Sequence, residues 1–289
     1  MSIKFITTIY SDLYGSKFGG RSSRKDHYRF SLLSLLKMTD ADFICYTSER
    51  EIESLKKFFY VDNNISTKQL TFEVYDLTNS YYSTLINDYK NLESIKKGDR
   101  CFEIQYSKIP FFLKENMSYD YYYWIDAGLS HTGIIPNKYL SGVGYERYFE
   151  SSLFNNTFLK NLVKYSDDKF FIIGKENVKN FWEHTVNVSL YKKYDNSYHI
   201  IGGLFGGKKE LWNTVLTMFD ESLKSSLSLD KKLYFEEHIL SLMYCNNKEI
   251  FKPKVFDVWQ HEDNYIGGVT NFLNENKSFY KILEELNNG

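Results

Sequence analysis

Apolar and polar positions alternate along this chain in two periods. Short runs rich in β-branched and aromatic residues predict strands at Ile3–Ile9, Asp42–Thr47, Leu70–Tyr75, Tyr119–Ile125, Lys169–Ile173 and Phe251–Trp259. Between them, helical spacing predicts helices over Lys25–Lys37, Tyr82–Ile95, Glu103–Lys114, Asn155–Tyr165, Lys208–Leu223, Phe235–Tyr244 and Phe279–Leu286. In the first of these Phe30, Leu33 and Leu36, with Leu32 and Leu35, fall near one face. Ser48 opens SEREIESLKKFF with Glu51 three residues on, a capping-box pattern. Strands alternating with helices imply an α/β fold with a largely parallel sheet. No linker-like stretch interrupts the alternation, so one continuous domain over 1–289 is expected.

Charge and composition narrow the function. Thirty-six basic and 37 acidic residues give a net charge of -1, so no basic field exists to attract nucleic acid. The three cysteines, Cys45, Cys101 and Cys245, lie far apart with no CxxC, which suits a reducing compartment and gives no zinc motif. No run approaches the roughly 18–20 apolar residues of a membrane span, and the first residues, MSIKFITTIYSD, carry no secretory pattern. The expectation is a cytoplasmic protein, free or peripheral to the inner face of a membrane. Aromatic content is the outlier: 25 Tyr, 23 Phe and 4 Trp. Such rings suit a wet core margin and equally a ligand groove that stacks on them.

Five stretches could carry chemistry. Tyr119–Ile125 delivers Asp126 to a strand end, followed by Ala127 and Gly128. A carboxylate there can hold a divalent cation or simply begin a turn. Gly202-Gly203-Leu204-Phe205-Gly206-Gly207 is either a tight loop offering backbone amides to a ligand or a bent strand packed on its neighbours. Its spacing fails the P-loop pattern. Glu236 and Glu237 open a helix, where they suit the macrodipole or supply a base. They point about 100° apart, so only one can face a cleft. His261 follows the last strand among polar residues, and Arg21 and Arg24 sit in the loop after the first strand.

FITTIYSD with FGGR, WIDAGLSH, GGLFGG and EEHIL together resemble the HtrL/YibB-like bacterial glycosyltransferases, over about Ile3 to Gly268. The resemblance implies the glycosyltransferase A fold, a Rossmann-like, mostly parallel central sheet flanked by helices. It implies a donor-nucleotide half at the N-terminus and an acceptor half at the C-terminus. Members of that fold bind Mn²⁺ or Mg²⁺ at a short acidic motif, usually Asp-x-Asp. Here the match is Asp126-Ala127-Gly128, with Gly128 where the second carboxylate would stand and His131 or His261 able to complete the coordination. By the same resemblance Thr7, Thr8 and Tyr10, with Arg21, receive the nucleotide, and Gly202 and Gly203 line the donor sugar and acceptor. Glu237, or else Glu236, faces the acceptor hydroxyl as base.

The implied activity is transfer of a hexose (galactose, galactofuranose or glucose) from a nucleotide sugar, UDP-linked, to a glycan or lipid-linked glycan in bacterial surface polysaccharide assembly. A nucleotide-sugar hydrolase, a nucleotidyltransferase and a non-catalytic carbohydrate-binding domain are the alternatives. GSKFGGRSSRK, after the first strand, keeps the nucleotidyltransferase open.

Overall fold

The computed structural model describes residues 2–10, 22–89, 102–128, 154–175, 199–231, 233–256, 282 and 285–288. Seven strands form one sheet in the order β3-β2-β1-β4-β6-β5-β7. They are β1 (Ile3–Ile9), β2 (Asp42–Thr47), β3 (Leu70–Val74), β4 (Tyr121–Ile125), β5 (Phe170–Lys175), β6 (His199–Lys208) and β7 (Phe251–Phe256). β3, β2, β1 and β4 run parallel, β6 runs against both β4 and β5, and β7 is parallel to β5. The expected mostly parallel α/β sheet is therefore present, with β6 as its reversed member. The chain moves outward from β1 to β3 and then returns to the other side of β1 as β4. That reversal places a crevice at the carboxyl ends of β1 and β4, where open α/β sheets bind ligands.

Strand residues alternate between two cores. Ile6, Ile44, Tyr46, Tyr122, Trp124 and Phe205 face one side, while Phe5, Phe43, Cys45, Tyr123, Ile125 and Leu204 face the other. On the second side lie α1 (Ser22–Met38), α2 (Glu49–Lys56) and α5 (Asn156–Ser166). On the first lie α4 (Phe102–Ser107), α6 (Leu211–Asp230) and α7 (Glu236–Asn246); a short α3 (Ser83–Tyr89) also contributes there. Among the described residues no helix is long and apolar enough to cross a membrane.

Several local expectations are corrected. Ser48 sits at the N-cap of α2 in an extended conformation, but its side chain makes no cap; instead its carbonyl accepts from the Glu51 and Ile52 amides. α1 buries Leu32, Leu33, Leu35 and Leu36, whereas Phe30 is exposed and sits edge-on to Phe58. The helix expected over Glu103–Lys114 is two pieces, α4 and a 3₁₀ turn over Pro110–Lys114. Pro110 has no N–H to continue the first piece. Of the two readings of GGLFGG, the bent strand is the one present, and the following helix begins at Leu211 rather than Lys208. Tyr119 and Asp120 precede β4 instead of belonging to it. The predicted C-terminal helix is described at Ile282 and over 285–288, and is helical there.

β6 is glycine-rich because it has two different neighbours. Against β4 its pairing is continuous, from Tyr121↔Lys208 to Ile125↔Leu204. Against β5 the register slips between Phe171↔Gly206 and Ile173↔Ile201, so the chain bulges over Gly202–Phe205. Gly206 has φ +156, and a Cβ there would lie 2.3 Å from the Tyr122 carbonyl oxygen. At Gly203 an added Cβ would meet nothing within 4 Å. Gly206→Ala is therefore expected to destabilise the fold by about 3 kcal/mol, and Gly203→Ala to change it by no more than about 0.5 kcal/mol. Urea unfolding of the two variants beside the parent checks the contrast.

Candidate functional site

The bulge of β6 meets the end of β4. The Asp126 amide donates to the Gly203 carbonyl at 2.8 Å, which extends the β4–β6 ladder one step past Ile125. Trp124 fixes the carboxylate: its Nε1 donates to Asp126 Oδ1 at 2.7 Å. The indole itself is held between Phe111, stacked at 6.2 Å and 6°, and Phe205 at 6.4 Å.

Lys108 enters this cluster from the turn between α4 and the 3₁₀ segment. Its ammonium donates to Glu236 Oε1 at 2.7 Å, lies 3.0 Å from Asp126 Oδ1 and 3.4 Å from Oδ2, and donates to the Gly202 carbonyl at 3.0 Å. It also lies 5.5 Å from the centroid of the Trp124 ring. The Lys108 and Glu236 side chains are each 8% exposed. Burial alone would lower the Lys108 pKa, but the Asp126 and Glu236 carboxylates more than offset it and hold the group above its usual range. Glu236 is shifted the other way: burial raises its pKa, Lys108 opposes the shift, and Glu237 and Asp126 add to it.

Glu236 and Glu237 share the first turn of α7 with different surroundings. Glu236 is buried against Lys108, while Glu237 is half-buried, its Oε1 accepting from the Gly202 amide at 3.3 Å. Ser241 ties this turn to β6: its hydroxyl donates to the Glu237 carbonyl at 2.6 Å and accepts from the Ile200 amide at 2.8 Å. Gly202 has to be bare, because a Cβ there would approach Glu236 Oε1 to 2.8 Å and Lys108 Nζ to 3.1 Å.

Of the residues singled out from sequence, Asp126, Ala127, Gly128, Gly202, Gly203, Glu236 and Glu237 converge at one end of the sheet. Ile6 pairs with Trp124, so continuing the register sets Thr7 and Thr8 beside Ile125 and Asp126. Thr7 is fully buried, and Tyr10 is buried with its hydroxyl donating to the Tyr75 carbonyl at 2.9 Å. Arg21, His131 and His261 lie outside the described residues. Lys108 escaped the sequence reading. Its signal is a lone charge inside Tyr106-Ser107-Lys108-Ile109-Pro110-Phe111-Phe112, where a buried cation requires an anionic partner.

Of the residues expected to hold Mn²⁺ or Mg²⁺, Asp126 is described, while His131 and His261 lie outside the described residues. Asp126 Oδ1 already accepts from Trp124 and faces Lys108. Among the described residues no group of three or more His, Cys, Asp or Glu side chains is placed to hold a metal ion.

The chain has the fold of a galactosyltransferase, LgtC, crystallised with donor and acceptor sugar analogues. The TM-score is 0.50 over 86% of this chain and 72% of that one, at 9% identity. Mouse xyloside xylosyltransferase 1, in its apo form, aligns over 94% of this chain and 93% of its own at TM-score 0.47 and 10% identity. No protein-family model and no curated protein matches the sequence. The fold is thus the glycosyltransferase A type, a mostly parallel seven-stranded sheet flanked by helices; the HtrL/YibB-like grouping is finer than these likenesses reach.

Lys108→Met should cost about 3–5 kcal/mol, because it leaves Glu236 buried without its cation. Adding Glu236→Gln should recover part of that loss, giving a coupling energy of at least about 1 kcal/mol in a double-mutant cycle. Additive losses in chemical denaturation would mean that the two groups do not depend on each other.

Proposed function

We propose that this chain is a glycosyltransferase that moves a hexose from a nucleoside diphosphate sugar, UDP-linked, to a glycan or lipid-linked glycan in surface polysaccharide assembly. The work is done in the cytoplasm, at the inner face of a membrane where a lipid-linked acceptor is presented. The observation that carries this reading is the pairing of a strand-end carboxylate at the sheet's reversal point with a glutamate across a bare glycine step. Asp126 ends β4, Gly203 leaves space open beside it, and Glu237 borders the same step through the Gly202 amide. The glycosyltransferase A fold of the chain supports the same class of chemistry.

The two glutamates divide the work. A base has to come within about 2.6–3.2 Å of the proton it takes. Glu236 is buried and already bound to Lys108, so it is a positioning residue. Glu237 is half-buried and is the candidate base. It takes the proton of the acceptor hydroxyl as that oxygen bonds to the anomeric carbon. The bond from the anomeric carbon to the diphosphate oxygen breaks, and the nucleoside diphosphate leaves with the electron pair. Gly203 offers room over the backbone for a sugar ring. Asp126, oriented by Trp124 and Lys108, is an acceptor for hydroxyl groups on the donor.

The test pairs binding with turnover. UDP-, GDP- and CMP-sugars are screened by thermal shift, and a UDP-sugar is expected to raise the melting temperature through linkage. Glu237→Gln should retain that shift while cutting transfer by at least about a hundredfold. No shift with any nucleotide sugar would sink the reading. Sugar release that needs no acceptor glycan would mark a hydrolase instead, and normal turnover in Glu237→Gln would remove Glu237 as base.

A further inference from the structure

We propose that the Lys108 ammonium takes the position a divalent cation would need between Asp126 and Glu236, so that the free protein binds no metal through Asp126. This inference stands apart from the transferase reading, since it concerns only what fills one space between named oxygens. An ammonium has three N–H donors and no acceptor. Here they reach Glu236 Oε1 at 2.7 Å, Asp126 Oδ1 at 3.0 Å and the Gly202 carbonyl at 3.0 Å. Two carboxylates and a backbone carbonyl are also the kinds of oxygen that hard divalent cations take. The lysine has therefore recruited a cation's donor set.

Space and charge keep a second cation out. A Cβ on Gly202 would lie 3.1 Å from Lys108 Nζ and 2.8 Å from Glu236 Oε1, so the ammonium is packed against the backbone. Asp126 Oδ1 is also bound to Trp124 Nε1 at 2.7 Å. A metal drawn onto this carboxylate would have to displace an ammonium whose side chain is 8% exposed. Leaving a buried charge without its partner weakens such a state by about a hundredfold or more. A second observation shows what the lysine leaves unused. Glu236 Oε2 is buried and has no hydrogen-bond partner among the described residues. It is a spare anionic oxygen in the same cluster, and a metal ion, binding several oxygens at once, could use it where the ammonium does not.

Removing the lysine should therefore create a cation site. In Lys108→Ala, Asp126, both oxygens of Glu236 and the Gly202 carbonyl would surround the vacated position. The experiment is a Tb³⁺ titration of the full chain, read by emission sensitised through tryptophan; Trp124 Nε1 lies 2.7 Å from Asp126 Oδ1. Asp126→Asn is the control in both backgrounds. The wild-type protein is expected to show no emission that Asp126→Asn removes, and Lys108→Ala to gain emission that the same change abolishes. Competition by Mn²⁺ then extends the result to the expected cofactor. Asp126-dependent Tb³⁺ binding in the wild-type protein overturns the proposal, and so does a folded Lys108→Ala that gains none. If Lys108→Ala does not fold, the wild-type comparison decides alone: Asp126-dependent emission refutes the proposal and its absence upholds it.

Discussion

One buried ammonium organises this end of the molecule. A lysine taken out of water is unstable unless anions meet it, because the desolvation of a charge costs several kcal/mol. Lys108 is met by Asp126 from the end of β4, Glu236 from the start of α7 and a carbonyl from β6. Elements far apart in sequence are thereby held to one point by groups that cannot separate without exposing a charge to an apolar interior. Ser241 reinforces the same junction from the helix side. The scaffold and the candidate site are consequently one interaction seen from two directions. The orientation of Asp126 is set by the groups that keep β4, β6 and α7 together.

The aromatic richness serves this arrangement from beneath. Tyr46 stacks on Phe111 at 4.5 Å, Phe111 on Trp124 at 6.2 Å, and Trp124 on Phe205 at 6.4 Å. The row crosses β2, β4 and β6 and presents Trp124 to Asp126. A sugar-stacking groove was one expectation from the ring count. Among the described residues, however, Tyr46, Tyr106, Tyr122, Tyr123, Trp124 and Trp212 are fully buried core. Their polar tips find partners inside: Tyr46 donates to Glu115 at 2.9 Å, and Trp212 Nε1 to the Tyr122 carbonyl at 3.2 Å. The rings are packing material with satisfied edges.

Period and residue type made the sheet legible, since β-branched and aromatic runs such as IKFITTI and DFICYT can bury both faces of a central strand. Asp126 stood out as a carboxylate at the end of YYYWI, where a ligand site and a turn are both served by the same residue. What stayed hidden depended on contacts distant in sequence. Lys108 is marked only by its apolar flanks until its partners, 18 and 128 residues away by number, are brought to it. GGLFGG reads locally as loop or bent strand alike; only a strand pinched between β4 and β5 gives Gly206 a reason to lack a side chain. The roles of Glu236 and Glu237 could not be separated from helical angle alone, since burial of Glu236 comes from Lys108 and not from its own helix. Ser48 shows the reverse failure: the local pattern is present, but its side chain makes no cap hydrogen bond, and the Glu51 and Ile52 amides donate to its carbonyl.

The place of β6 in the sheet sets an order in time. It lies between β4 and β5, both of which precede it in the chain. Until residues 199–208 arrive, β4 and β5 each present an unpaired edge, and β4 offers the apolar sequence YYYWI along it. A ribosome that has released β5 but not β6 therefore carries the sheet β3-β2-β1-β4 with its β4 edge as an open seam, and β5 without either of its strand partners, since β7 follows β6. The seam closes by non-local pairing, which is slow compared with helix formation. During that interval the nascent chain is vulnerable to edge-to-edge association, and completion of the seam is also the moment at which Gly202 first reaches Lys108.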